Sequence, residues 1–211
     1  MSATQEHSED LGIKAILLTA EEINLAASLL YVAYHEDPVF KHIFESERPD
    51  YDKRLRAAIR EELAAFWQTE QPMIGLYSDE HLLAVACLIE PQTGLEPERF
   101  WHWRLKMMIN AGYLSTKNMI EKEKRVAAAI PFDHYHLLTF IAVHPDHQHL
   151  GLGHYLIKAV DSIVNENSLS KGVAVFVTKE KNKPLFDGGN YKELEDITIG
   201  DVCGTLMFRE K

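Results

Sequence analysis

The stretch FIAVHPDHQHLGLGHYLIKAV, Phe140 to Val160, decides how the rest of the chain is read. Its opening residues finish an apolar run, HLLTFIAV (136–143), whose length and composition are those of a buried strand. His144-Pro145 ends that strand, because proline cannot donate to a ladder. Gln148-His149-Leu150-Gly151-Leu152-Gly153 then opens a helix reaching about Asn165, with Leu152, Leu156, Val160, Ile163 and Val164 as an apolar seam. Two glycines at a strand-to-helix turn let a ligand approach the backbone and leave N–H groups at the positive end of the helix dipole. The expectation is a phosphate cradle at 148–154. A dinucleotide fingerprint would need a small residue where Leu156 stands, and a P-loop would need Gly-Lys-Ser/Thr, so neither fits.

Outward from this segment the chain alternates strands and helices. IKAILL (13–18) reads as a first strand, and Thr19-Ala-Glu-Glu22 has the form of a capping box. Ile23, Ala26, Ala27, Leu30 and Tyr34 share one helical stripe, and Asp37-Pro38 suits the cap and first residue of a short following helix. A longer helix from about Asp50 places Leu55, Ile59, Leu63 and Phe66 inward. MIGLY (73–77) and HLLAVACLIE (81–90) form a hairpin, residues 97–112 and 116–130 are helical, and VAVFVT (173–178) and VCGTLMF (202–208) are further buried strands. The fold class is therefore α+β: a mixed, mostly antiparallel sheet of six or seven strands flanked by helices. Residues 1–12 form a polar tail before a single domain over 13–211.

Composition excludes several functions. The 211 residues are 46% hydrophobic, enough for a sizeable core, and carry a net charge of −10. That charge argues against nucleic acid and against an anionic membrane surface. No uninterrupted apolar stretch is long enough to span a bilayer, and the leading MSATQEHSEDLG is acidic where a signal peptide is basic and then apolar. Cys87 and Cys203 lie in apolar runs without metal spacing, which predicts buried free thiols and a cytoplasmic protein. Six of the eleven histidines fall between His134 and His154, but no paired-histidine helix motif or cysteine partner accompanies them, so no metal is expected.

The strand ending in Val143-His144-Pro145, followed by Gln148-x-x-Gly151-x-Gly153 and by Asn182 after the next strand, resembles the GNAT superfamily of N-acetyltransferases. The segment AYHEDPVFKHIF is similar to the acceptor-side segment of its puromycin-acetyltransferase-like branch. The resemblance implies a GNAT-like acyltransferase fold and acetyl-CoA as co-substrate. The backbone of Ile141, Ala142 and Val143 would bond the pantetheine arm. The amides of Gln148, His149, Leu150, Gly151, Leu152, Gly153 and His154 would hold the pyrophosphate, and Asn182 and Phe186 would flank the arm. It also implies direct attack by a primary amine, with the Val143 N–H as oxyanion donor. A base must take the ammonium proton. Glu90, at the end of a buried strand, is the preferred candidate and His136 the alternative. Glu36 and Asp37 are expected to grip a cationic acceptor. Phe186 stands where the family often has a tyrosine to protonate the departing thiolate, and a phenyl ring has no proton to give.

These observations predict acetyl transfer from acetyl-CoA to a primary amine of a small molecule, by a monomer or homodimer. The alternatives are a CoA-binding module without turnover, a histidine-based metal protein, and an interaction protein presenting FWHWRLKMM (100–108) to a partner.

Overall fold

Local signals set the helices. The Thr19–Glu22 capping box is formed, opening a short 3-10 turn that runs into α1 (Ile23–Tyr34). Asp37 caps α2 (Pro38–Phe44), its Oδ1 accepting the N–H groups of Val39 and Phe40 at 3.0 and 3.1 Å, with Pro38 in the first turn. Helix α3 (Tyr51–Gln68) buries Leu55, Ile59, Leu63 and Phe66 as its spacing requires. It also buries Arg54, whose guanidinium donates to Glu45 Oε2, Ser115 Oγ and the Phe44 carbonyl, tying α2 to α5 (Tyr113–Ala128). The computed structural model describes residues 12–91 and 101–211, with side chains from Leu105 onward in the second stretch. Of the aromatic run FWHWRLKMM, Phe100 and the side chains of Trp101 to Arg104 thus lie outside the described residues; α4 (Trp101–Asn110) buries Met107 and exposes Ile109.

The sheet has seven strands in the order β1-β2-β3-β4-β5-β7-β6. They are β1 (Ile13–Leu17), β2 (Met73–Ser78), β3 (His81–Ile89), β4 (His136–Val143), β5 (Gly172–Val177), β6 (Lys192–Ile199) and β7 (Val202–Glu210). All neighbours are antiparallel except β4 and β5. Six strands follow the sequence reading; β6 does not. Its residues KELEDITI are exposed at six of eight positions, because an edge strand with one face in water carries charge that a central strand cannot. Cys203 is a correction as well. It is free but exposed on β7, near the β6–β7 turn, whereas Cys87 is fully buried in β3.

Two cores sandwich the sheet. On one face α1, α2, α3 and α5 pack on Val85, Cys87, Phe140 and Ala142. On the other, α6 (Leu152–Glu166) lays Leu152, Leu156, Val160 and Val164 on Ala84, Ala86, Leu138 and Val175, beside Phe186 of α7 (Pro184–Asp187).

The pairing of β4 changes along its length. His136, Leu137 and Leu138 pair with Val173, Ala174 and Val175 of β5, and the parallel pairing stops there. On the β3 side, Leu88 faces Leu138 and Cys87 faces Phe140, so Thr139 is an extra residue in β4. Such a bulge bends its strand and re-aims the backbone beyond it. From Thr139 to Val143 the edge of β4 that would meet β5 faces a fork instead.

Candidate active site

A cavity of about 560 Å³ passes through this fork. Residues from both faces line it: Phe40 of α2 and Val126 of α5 from one side, Leu152 and Phe186 from the other, with Ile141, Ala142 and Val143 of β4 between them. Joining the two layers through the sheet requires two strands that diverge, and among the described strands β4 and β5 alone are parallel neighbours.

The cradle closes one end. Gly151 is the N-cap of α6 at φ +78°, and His149 sits at φ +65°, so two of three successive residues are left-handed. Gly151 meets a backbone requirement, since a Cβ there would touch nothing within 4 Å. Gly153 meets a packing one: a Cβ would fall 2.8 Å from the Leu185 side chain. The cradle amides are fewer than the sequence suggests. The Gln148 N–H donates to the Pro145 carbonyl and the His154 N–H to that of Gly151, which leaves the run 149–153 to face an anion. Gln148 instead bonds the Val143 carbonyl through Nε2 at 3.3 Å, fastening the turn to the strand. His149, Gly151, Leu152, Gly153, His154 and Asn182 line the cavity, as do Lys179 and Lys181; Leu150 is exposed and does not. The two lysines bring to the cavity wall the positive charge a polyphosphate needs, and composition could not locate them.

The wall also carries Asp37, Lys122 and Glu123. Asp37 is 4% exposed; its Oδ1 is held by the α2 amides, and Thr178 donates its hydroxyl to Oδ2. Glu36 lies outside the cavity. Its exposed carboxylate bonds Lys41 and His35, which lower its pKa. Behind Glu123, Glu62 of α3 is buried with one unpartnered oxygen, and burial, reinforced by the Glu123 charge, pushes its pKa up to about 8.

Neither expected base lines the cavity. His136 is wholly buried at the closed end of β4, with Nδ1 2.8 Å from Ser170 Oγ, and burial lowers its pKa to about 4. Glu90 follows the end of β3, its N–H donating to Gln71 Oε1. Phe186 lies in the wall with its ring 5.2 Å from that of Tyr191. Tyr191 is buried behind it, beside Asp161 and Arg209, and does not reach the cavity.

Tyr34 and Thr178 are wall residues that the sequence reading did not single out. Tyr34 reads there as part of an apolar stripe. A hydroxyl on a buried stripe needs a partner, and that was the available signal. Among the described residues, no three His, Cys, Asp or Glu side chains converge to hold a metal ion, and no helix is long and apolar enough to cross a membrane.

Several solved structures share this architecture. A protein described as histone acetyltransferase HPA2 and related acetyltransferase, from Corynebacterium glutamicum, superimposes with a TM-score of 0.69 at 15% identity, over 93% of this chain and 95% of its own. The C-terminal condensation domain of Ebony, in complex with beta-alanyl-dopamine, gives 0.68 at 13% identity over 95% and 100%. A mosquito arylalkylamine N-acetyltransferase like 5b gives 0.62 at 12% over 94% and 100%. At such identities the likeness is one of fold. A search of curated proteins gives no match. The family model described as the acetyltransferase (GNAT) family matches residues 38–186, most of the chain and the whole of the cradle and the β4–β5 fork. The protein belongs to the GNAT acetyltransferase family.

Proposed function

We propose that this protein transfers the acetyl group of acetyl-CoA to a primary amine of a small molecule, in the cytoplasm, through a single domain over 13–211. The observation that carries the reading is the continuous cavity, which joins an amide cradle flanked by lysines to a buried carboxylate through the only parallel fork among the described strands. The residues present fit the co-substrate. The amides of 149–153 with Lys179 and Lys181 suit its phosphates, and the free edge of β4 suits the amides of its arm. Phe186 and Asn182 suit the wall beside that arm. A backbone edge and apolar walls also suit a ligand that is mostly chain.

On the acceptor side Asp37 and Glu123 outnumber Lys122, which favours a cationic amine. The arylalkylamine and agmatine N-acetyltransferases among similar structures are named for amines of that kind. An ammonium group must lose its proton before its nitrogen can attack, and Asp37 is our candidate base: it lies in the wall, and its second oxygen faces Thr178. Alternation along β4 aims the Val143 N–H into the fork, because the neighbouring His144 N–H turns to Leu83 of β3; lying nearer the cradle, it suits an amide of the arm, and the deeper Ile141 N–H is the candidate donor to the oxygen on which charge develops. A leaving thiolate with a pKa near ~8.5 can be protonated by water, so Phe186 in the usual acid position does not stop turnover. Incubation with acetyl-CoA and a panel of primary amines should release free thiol in an amine-dependent way. Tight acetyl-CoA binding with no thiol release across the panel would instead mark a binding module.

A further inference from the structure

Beyond Leu138 the free edge of β4 is completed at one rung by a side chain. The hydroxyl of Tyr34, at the end of α1, lies 3.1 Å from both the N–H and the C=O of Ile141, accepting from the first and donating to the second. It does there what a residue of β5 would do if the strands had stayed together. The ring is held in place by Phe40 and Phe140, with centroids 5.3 and 5.5 Å away, and belongs to the cavity wall.

Position along the strand gives this contact its meaning. The cradle lies beyond the Val143 end of β4, and the fork closes at Leu138. An arm anchored by phosphates at 149–153 therefore meets Val143 first and Ile141 two residues, or ~7 Å, deeper. The thioester is at the far end of that arm from the phosphates. It is thus the part that arrives where the Tyr34 hydroxyl already occupies the backbone.

We propose that Tyr34 is a placeholder for the thioester: its hydroxyl satisfies Ile141 in the free enzyme, yields the Ile141 N–H to the incoming thioester carbonyl, and then donates its own proton in a hydrogen bond to that oxygen. The inference rests on acetyl-CoA occupying the fork as proposed above. The contact explains how a strand edge inside an apolar slot avoids an orphaned N–H while the slot is empty. It also supplies a second donor beside the Ile141 N–H as negative charge grows on the carbonyl oxygen. Burial raises the phenol above its ordinary pKa, so the group stays protonated and is a weaker acid than a thiol. It hydrogen-bonds the oxygen and leaves the thiolate to solvent.

Tyr34→Phe tests this, because it keeps the ring packing and removes only the hydroxyl. Affinities for acetyl-CoA and for CoA are measured by calorimetry on wild type and variant. CoA lacks the thioester carbonyl that would compete for Ile141, so its affinity should stay within twofold, while acetyl-CoA, with nothing to displace, should bind at least threefold more tightly relative to CoA. With an amine that turns over, kcat should fall ~10²-fold, the scale of losing an oxyanion donor, with the basic limb of the pH profile unmoved. Equal shifts in the two affinities, or a kcat within threefold of wild type, would overturn the proposal and leave Tyr34 a packing residue. If the variant is too unstable to assay, 3-fluorotyrosine at position 34, a stronger donor and weaker acceptor of the same shape, should move the affinity ratio in the same direction; an unmoved ratio overturns it. Wild type that binds neither CoA nor acetyl-CoA would reject the reading of the fork itself, a result distinct from either of these.

Discussion

The two halves of β4 are continuous in sequence, and their composition is much the same, yet they do opposite work. At Leu137 and Leu138 the strand is paired on both sides, and His136 before them, paired to β5, is sealed at 0% exposure against Ser170. From Thr139 to Val143 one edge is open to a cavity, and a tyrosine from another helix stands in for the missing strand. One bulged residue separates the halves. The difference teaches that in this fold a binding slot is made by withdrawing a neighbour from an ordinary strand. The closed half should then govern stability and the open half chemistry, and substitutions can break or sharpen that division.

The largest effect is expected at the cradle. Gly151→Val puts a branched side chain on a left-handed residue, which costs ~1–2 kcal/mol of strain, but a Cβ there meets no atom within 4 Å, so the fold should survive. The added bulk lies where phosphate must approach the amides. The rise in melting temperature that acetyl-CoA gives wild type by mass action should vanish in the variant. An undiminished rise would separate the cradle from the fork as a functional unit.

Asp37→Asn comes next. Asparagine caps a helix about as well as aspartate, so α2 and the melting temperature should hold. Loss of a general base lowers kcat by ~10²-fold or more at neutral pH, with acetyl-CoA affinity unchanged and the deficit shrinking as pH rises and free amine accumulates. A kcat equal to wild type would remove Asp37 from the mechanism and leave proton removal to water.

Glu62, behind Glu123, gives an effect on stability with a definite pH sign. Its pKa is raised from 4.5 to about 8, so the folded protein holds a proton that the unfolded chain releases above its own pKa. The stability tied to that proton is complete below about pH 4.5 and is lost as pH rises towards 8, at up to ~1.4 kcal/mol per pH unit. Glu62→Gln should therefore match wild type at pH 5 and be more thermostable at pH 8, each kcal/mol being worth ~2–4 °C in a protein of this size. A difference independent of pH would show that Glu62 is not held neutral by its surroundings.

The smallest effect belongs to the closed half. Ser170 donates to the Gly172 carbonyl, so it accepts from the Nδ1–H of His136. Ser170→Ala leaves that proton buried and unpaired, at a cost of ~1–2 kcal/mol seen in denaturant unfolding, with kcat and both substrate KM values unchanged. His136, with its pKa lowered to about 4, contributes stability that is present above about pH 6.5 and is lost as pH falls through 4. A change in kcat from Ser170→Ala would mean that the two halves are coupled.

These contrasts also mark where the sequence is readable. The cradle is local: Gln148-x-x-Gly151-x-Gly153 lies within one turn, and its glycines answer to backbone angle and close packing that short-range pattern encodes. The helices and six strands follow from periodicity for the same reason. The bulge at Thr139 is different, because HLLTFIAV reads as one uniform strand and only β3 and β5 together determine where pairing ends. His136 reads as a possible base because its position near the cradle strand is visible and its burial is not. Tyr34 and Glu62 occupy helix positions whose polar atoms gain meaning only from α5, β4 and the cavity. Of the two, Glu62 left the clearer trace, three residues after Ile59 and four before Phe66, on the flank of the apolar face.

Hydrogen exchange resolved to single amides, with and without acetyl-CoA, tests the central claim that the open half of β4 and the cradle form one site. Saturating acetyl-CoA should slow exchange at Ile141, Val143 and the amides of 149–153, and leave those of His136 to Leu138 unchanged. Protection spread evenly along β4, or absent from 149–153 while acetyl-CoA is bound, would contradict it.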